Sequence, residues 1–248
     1  MPASDGGTPV SGGDPALFES RVVLTPRNPQ ALRAIMSADM RRSEAQFAHR
    51  IIWTLFADAV DDQRRGLFLY HVERSRPFTA IVRSSRPPID GLGVWTFEKT
   101  RPFAPHLAAG QRLRFRLRAV ASRWQQQPGT KRGRRQDVIM AAWHTVPEDE
   151  RTPERLEDVA EAAALSWLER QGERCGFAVT RGEVSVLDYD RMRLSAGRAG
   201  GDIRFGAVTY EGLLTVTDPP LFRQALAEGL GAGRAYGNGL MQIAPART

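Results

Sequence analysis

The side chain best suited to moving protons near neutral pH is imidazole, and this chain has four histidines: His49, His71, His106 and His144. His49 is set apart by its surroundings. Ser43-Glu44-Ala45-Gln46 has capping-box form, a serine N-cap with a glutamine three residues on. Behind it Ala48, Ile51, Ile52, Leu55 and Ala59 recur at helical spacing. The predicted helix runs from Ser43 to about Ala59. His49 then lies roughly a right angle from the centre of the apolar stripe, at the edge of the core, beside Trp53 and Phe56. His71 falls in a strand-like run and reads as packed, and His106 and His144 carry no supporting pattern. No two histidines have ligand spacing, so neither a metal nor another cofactor is expected.

A second stretch carries potential chemistry. Residues 229–240 read Gly-Leu-Gly-Ala-Gly-Arg-Ala-Tyr-Gly-Asn-Gly-Leu, with Gly229, Gly231, Gly233, Gly237 and Gly239 surrounding Arg234 and Tyr236. Such a loop can turn its N–H groups to phosphates or let another backbone approach closely. A dinucleotide-binding fingerprint is excluded, because a helix precedes these glycines and only a short strand follows. A Walker loop is excluded by the absence of Gly-Lys-Ser/Thr.

The third feature is charge. The formal net charge is +7, yet between Glu98 and Asp137 no acidic residue occurs and eleven cations do. Among them are Arg114, Arg116, Arg118, Arg123, Lys131, Arg132, Arg134 and Arg135. The rest of the chain is net −4, that is 7 minus 11. So localised a positive charge suggests a polyanion, most simply nucleic acid. Cys175 is the only cysteine, which excludes an internal disulfide and a cysteine zinc site and fits a cytoplasmic protein. No apolar run is long enough to span a membrane.

The elements that must position these groups follow from periodicity. Residues 1–15 are rich in Gly, Ser, Pro and Ala and read as a disordered extension. Ser20–Thr25, Leu67–Glu73, Thr79–Ser84 and Val94–Thr100 read as strands around the His49 helix, with Pro87-Pro88 and Gly91–Gly93 breaking the chain where a second helix would stand. Gln111–Ala119 alternates throughout, Leu113, Phe115 and Leu117 on one face and Arg112, Arg114, Arg116 and Arg118 on the other. Trp124–Gln136 reads as a basic loop. Helices are expected at Val138–Thr145 and Pro153–Gln171, the latter with a stripe of Leu156, Val159, Ala160, Ala163, Ala164 and Trp167. Phe177–Leu194 and Ile203–Thr217 are strand regions. Asp218-Pro219 opens a helix that Gly229 ends, and Leu240–Ala244 is the last strand. The order is βαββαβ twice, so the fold expected is α+β: two tandem ferredoxin-like (RRM-like) domains, the first with a degenerate second helix. The expected divisions are a 1–15 extension, a domain over 16–106 carrying His49, and a domain over 107–248 carrying the basic and glycine loops.

In this setting Gly229, Gly231, Arg234, Gly237, Gly239 and Leu240 resemble the C-terminal signature of the CRISPR precursor-RNA processing endoribonucleases, within them the CasE branch of type I-E Cascade. His49-Arg50-Ile51-Ile52-Trp53 is similar to that family's catalytic-histidine segment. Phe68–Glu73, Phe115–Ala119 and Tyr210–Leu214 follow in family order. The resemblance covers residues 18 to 245. It implies metal-independent cleavage of CRISPR repeat RNA hairpins by 2′-hydroxyl attack, leaving a 2′,3′-cyclic phosphate, with His49 catalytic. It also implies retention of the crRNA product as a subunit among other Cascade proteins. Arg114, Arg116, Arg118, Arg123, Lys131, Arg132, Arg134, Arg135 and Arg234 are the expected RNA contacts. One departure is Gln46, where family members often have tyrosine. The second catalytic group is left open among Arg50, Arg234 and Tyr236. Two other readings stand beside this one: a non-catalytic RNA-binding subunit of the same complex, and a ferredoxin-like assembly module that binds no RNA.

Overall fold

A computed structural model of the chain describes residues 17–25, 27–37, 43–59, 66–126, 133–194 and 203–246. The expected extension over 1–15, together with Lys131 and Arg132, lies outside the described residues.

Two four-stranded antiparallel sheets organise the chain. The first contains β1 (Phe18–Leu24), β2 (Phe68–Ser75), β3 (Phe78–Ser84) and β4 (Trp95–Pro102), in the order β2-β3-β1-β4. The second contains β5 (Arg112–Val120), β8 (Phe177–Leu194), β9 (Ile203–Val216) and β10 (Met241–Pro245), in the order β10-β5-β9-β8. Each is the sheet of a ferredoxin-like βαββαβ unit, as the element order predicts. In the second unit α4 (Pro153–Cys175) and α5 (Pro219–Glu228) are the two crossover helices. In the first, residues 85–94 form bends and a turn instead of a helix, and the Asp90 carboxylate accepts hydrogen bonds from the Val94 and Trp95 N–H groups that start β4.

Local sequence explains most of these elements. On β5, Leu113, Phe115 and Leu117 enter a core with Trp167, Leu168, Tyr210 and Phe222. Thr152 caps α4 and Gly176 ends it in a left-handed conformation (φ 76°). Asp218 caps α5, with proline opening the helix. The first sheet has its own core of Val22, Ile51, Ile52, Tyr70, Val82 and Trp95.

Four expectations are corrected. The His49 helix, α2, is Glu44–Trp53, shorter than predicted; a 3-10 turn, Thr54–Phe56, carries Leu55 and Phe56 into the core. The break is fixed by Thr54, whose Oγ1 donates to the Ile51 carbonyl and accepts the Trp95 indole N–H at 2.8 Å. A further helix, α1 (Pro29–Ser37), lies between β1 and α2; Asn28 Oδ1 accepts the Ala31 N–H at its start. Trp124–Gln136 is not simply a loop: β6 (Ser122–Gln126) and β7 (Gly133–Asp137) pair antiparallel and lead into α3 (Val138–Trp143). Finally, Leu156 is exposed, because the buried face of α4 begins only at Ala164, where the helix meets the sheet.

Candidate active site and nucleic-acid interface

Both parts of the predicted capping box form at the start of α2: the Ser43 side chain accepts the Gln46 N–H, and the Gln46 side chain accepts the Ser43 N–H. Gln46 is thus used in fixing the helix that carries His49. Ala48, Ile51 and Ile52 anchor that helix, leaving His49 half-buried.

The Trp53 indole N–H donates to His49 Nε2 at 3.1 Å, one turn along α2. An indole nitrogen is only a donor, so Nε2 carries the lone pair and the neutral ring holds its proton on Nδ1. Nδ1 is buried with no hydrogen-bond partner among the described residues, and the nearby Ala235 backbone favours the protonated ring. Burial is the larger influence and lowers the imidazole below its ordinary 6.5. His49 is therefore neutral at neutral pH, with its basic nitrogen covered by Trp53.

The glycine loop comes from the other sheet and packs on this helix. The rings of His49 and Tyr236 have centroids 6.0 Å apart. The Tyr70 hydroxyl, on β2, donates to the Ala235 carbonyl at 2.9 Å. All five predicted loop glycines have φ between 70° and 89°. At Gly237 a Cβ would also sit 3.1 Å from the Tyr70 ring, and at Gly229 it would meet Leu69. Some of the loop's amides are used within it, Leu230 N–H on the Gly239 carbonyl and Tyr236 N–H on the Gly233 carbonyl, and Gly239 N–H bonds the Arg118 carbonyl of β5. Of the two uses foreseen for these glycines, close approach of the facing half is the one the geometry displays.

Two clefts meet at Arg234. One, of 490 Å³, is lined by His49, Trp53, Phe68, Leu69, Glu228 and Arg234, among others. The second, of 260 Å³, lies at the foot of the β6–β7 hairpin, where Arg123, Trp124, Arg135, Arg174 and Arg234 line it together with Trp167 and no acidic residue. Trp124 is 68% exposed there, and its indole crosses Gly133, where a Cβ would collide with it. The hairpin is tied to the arm formed by β8 and β9 through Asp137, which caps α3 and accepts both the Gly206 N–H and the Tyr189 hydroxyl.

The predicted site residues thus separate. Arg123, Arg135 and Arg234 share one cleft, and Arg134 is on the same hairpin. The β5 arginines are mostly paired, Arg112 with Glu183, Arg116 with Glu211 at 3.6 Å, and Arg118 with Asp190 at 2.7 Å and Asp188 at 3.6 Å, and Arg116 and Arg118 line a separate cleft of 380 Å³ with Ala48, Tyr236 and Gly237. Arg114 has no acidic partner among the described residues. Arg234 and Tyr236 both approach His49, whereas Arg50 lines neither of the two clefts. Burial and the charges of Arg116 and Arg118 push His71 down to about 4, consistent with a packed, neutral ring. Trp53, Tyr70, Trp124 and Arg174 were not singled out for the site. An indole one helical turn after His49 was a legible signal; Arg174 joins the cleft only once α4 is folded against the loop.

Tandem ferredoxin-like folds, with a half-buried imidazole in a cleft that shares Arg234 with a pocket of arginines, define a class of α+β protein with a basic surface beside a histidine. The particular family follows from comparison: the model of the family described as CRISPR associated protein matches residues 17–245, and the chain belongs to that family. It is 29% identical over 229 residues to the CRISPR-associated endoribonuclease Cse3 of Thermus thermophilus, covering 88% of this chain and 90% of that one. It is 26% identical over 200 residues to the CRISPR system Cascade subunit CasE of Escherichia coli, covering 79% and 90%. Thermus thermophilus Cse3 bound to an RNA representing a pre-cleavage complex superposes with a TM-score of 0.65 at 27% identity, over 93% of this chain and all of the other.

Proposed function

We propose that this chain is a metal-independent endoribonuclease that cleaves CRISPR repeat RNA hairpins and keeps the crRNA product as a CasE-like Cascade subunit in the cytoplasm. The observation that carries the reading is that His49 and Arg234 line one cleft and that Arg234 also lines the neighbouring arginine-rich pocket. The relatives named as an endoribonuclease and as a Cascade subunit support it.

The chemistry follows from the groups present. Substrate must displace the Trp53 N–H from His49 Nε2, which then takes the proton of the 2′-hydroxyl. The 2′-oxygen bonds to the adjacent phosphorus, and the P–O5′ bond breaks. The 5′-oxygen leaves and takes a proton from water while the His49 imidazolium returns its proton to solvent, giving a 2′,3′-cyclic phosphate and a 5′-hydroxyl. The Arg234 guanidinium at the cleft offsets charge on the phosphorane. The hairpin arginines and Trp124 grip phosphates and bases beyond it.

The test is incubation of repeat RNA with the protein in EDTA. A cyclic-phosphate product is expected, abolished by His49→Ala while a salt-dependent gel shift persists. Equal cleavage by the variant would remove His49 from the role. The commitment of Gln46 to the helix cap favours, as the second reading, a non-catalytic RNA-binding subunit, for which the gel shift would appear without product.

A further inference from the structure

Arg83, on β3, is 1% exposed. A buried guanidinium is costly unless a counter-charge and acceptors surround it. Glu19 on β1 supplies the charge, accepting from Nη2 at 2.7 Å. The ring of Phe103 covers the guanidinium carbon at 3.7 Å. The other two acceptors come from the second sheet's half: Nη1 donates to the Leu226 carbonyl at 3.0 Å and Nη2 to the Met241 carbonyl at 3.1 Å. Nε is buried without a partner among the described residues.

The positions of those two carbonyls are what matter. Leu226 lies in the last turn of α5, immediately before the glycine loop, and Met241 opens β10 immediately after it. One side chain therefore holds both stems of the loop. Across the β2–β3 ladder Arg83 is paired with Leu69, the residue on which Gly229 rests. Beyond the clamp the loop carries Arg234, Ala235 and Tyr236 to His49.

We propose that Arg83 is a positioning residue for RNA cleavage: its guanidinium clamps both stems of the glycine loop to the sheet under α2 and so fixes Arg234 and Tyr236 against His49. This rests on the reading of His49 as the base. A side chain serving stability alone would change the folded fraction without changing the rate per folded molecule. A clamp that sets reacting geometry changes the rate while leaving RNA affinity nearly intact, because Arg123, Trp124, Arg135 and Arg174 of the hairpin pocket lie outside the clamped loop, which adds Arg234 to it.

The experiment compares Arg83→Met, Arg83→Lys and Glu19→Gln with the unaltered chain. Single-turnover cleavage is measured at saturating protein, and affinity is measured with repeat RNA carrying a 2′-deoxy group at the scissile position. Folding is verified by circular dichroism. Folded Arg83→Met should cleave about 100-fold more slowly with affinity within about threefold, since misplacement of about 1 Å costs that much. Arg83→Lys should recover part of the rate, keeping the charge beside Glu19 but not the two-carbonyl reach. Unaltered rates in folded Arg83→Met or Arg83→Lys would overturn the proposal, as would affinity falling as far as the rate. If Arg83→Met does not fold, Arg83→Lys and Glu19→Gln carry the comparison, with slowed cleavage at retained affinity again expected. Hydrogen exchange across residues 229–240 separates this proposal from the reading it rests on. Should His49→Ala cleave normally, faster loop exchange in Arg83→Met or Arg83→Lys still supports the clamp, and unaltered exchange overturns it.

Discussion

The indole N–H of Trp53 donates to Nε2 of His49 at 3.1 Å, so the nitrogen that would accept a proton from RNA is occupied before substrate arrives. A donor on Nε2 stabilises the neutral ring and opposes protonation. Trp53→Phe keeps an aromatic ring and removes the donor. The His49 pKa, followed by NMR titration, is expected to rise relative to the unaltered protein, and the acid limb of cleavage should move with it. An unmoved titration would show that the bond has no influence on the base.

The same arrangement fixes the sign of the pH–rate profile. As the proposed base, His49 would act in its neutral form, and burial holds its pKa below 6.5. Single-turnover cleavage should rise with pH along a limb centred below 6.5 and level off towards neutrality. A limb centred above 6.5 would contradict a buried base.

At the hairpin foot the expected effects divide by chemistry. Arg135→Ala and Arg174→Ala should each lower the slope of log affinity against log salt by about one, as loss of a phosphate contact does. Trp124→Ala should weaken binding by about 1–3 kcal/mol with little change in slope, and Trp124→Phe should retain most of the affinity. Filter binding across a salt series checks both. Full affinity in Trp124→Ala would place the indole outside the RNA path.

His71 gives a stability prediction. Burial first, and then Arg116 and Arg118, depress its folded pKa to about 4 against Glu73. The unfolded chain therefore binds this proton at higher pH than the folded one. Its contribution is full above pH 6.5 and is lost as pH falls towards 4, amounting to no more than about 3 kcal/mol. Urea unfolding between those limits should show a shallower pH dependence in His71→Asn, with a residual slope from His49. Equal slopes would assign the acid sensitivity elsewhere.

How much of this was legible depended on the range of the interaction. The box at Ser43–Gln46, the alternation of β5 and the Asp218-Pro219 start are local signals, and each forms the predicted element. The α1 helix carries only Ala31, Leu32 and Ile35 against the core, too short a stripe to stand out, though Asn28-Pro29 marked its start. The β6–β7 hairpin lacks apolar alternation; part of what joins its strands is polar, Arg123 to the Gln136 side chain. Pairing of the β5 arginines could not be read at all, because Glu183, Asp188, Asp190 and Glu211 come from β8 and β9. Arg83 ended an ordinary strand-like run, and only the second fold revealed its acceptors.

The Arg83 clamp also bears on how the chain loses its structure. Its acceptors are divided between the two ferredoxin-like units, with Glu19 in one and the Leu226 and Met241 carbonyls in the other. Melting the second unit alone would remove two acceptors from Arg83 and expose the face it packs on, and the loss of those shared contacts couples the two equilibria. Two folds by topology are therefore expected to unfold together, and calorimetry should record one endotherm.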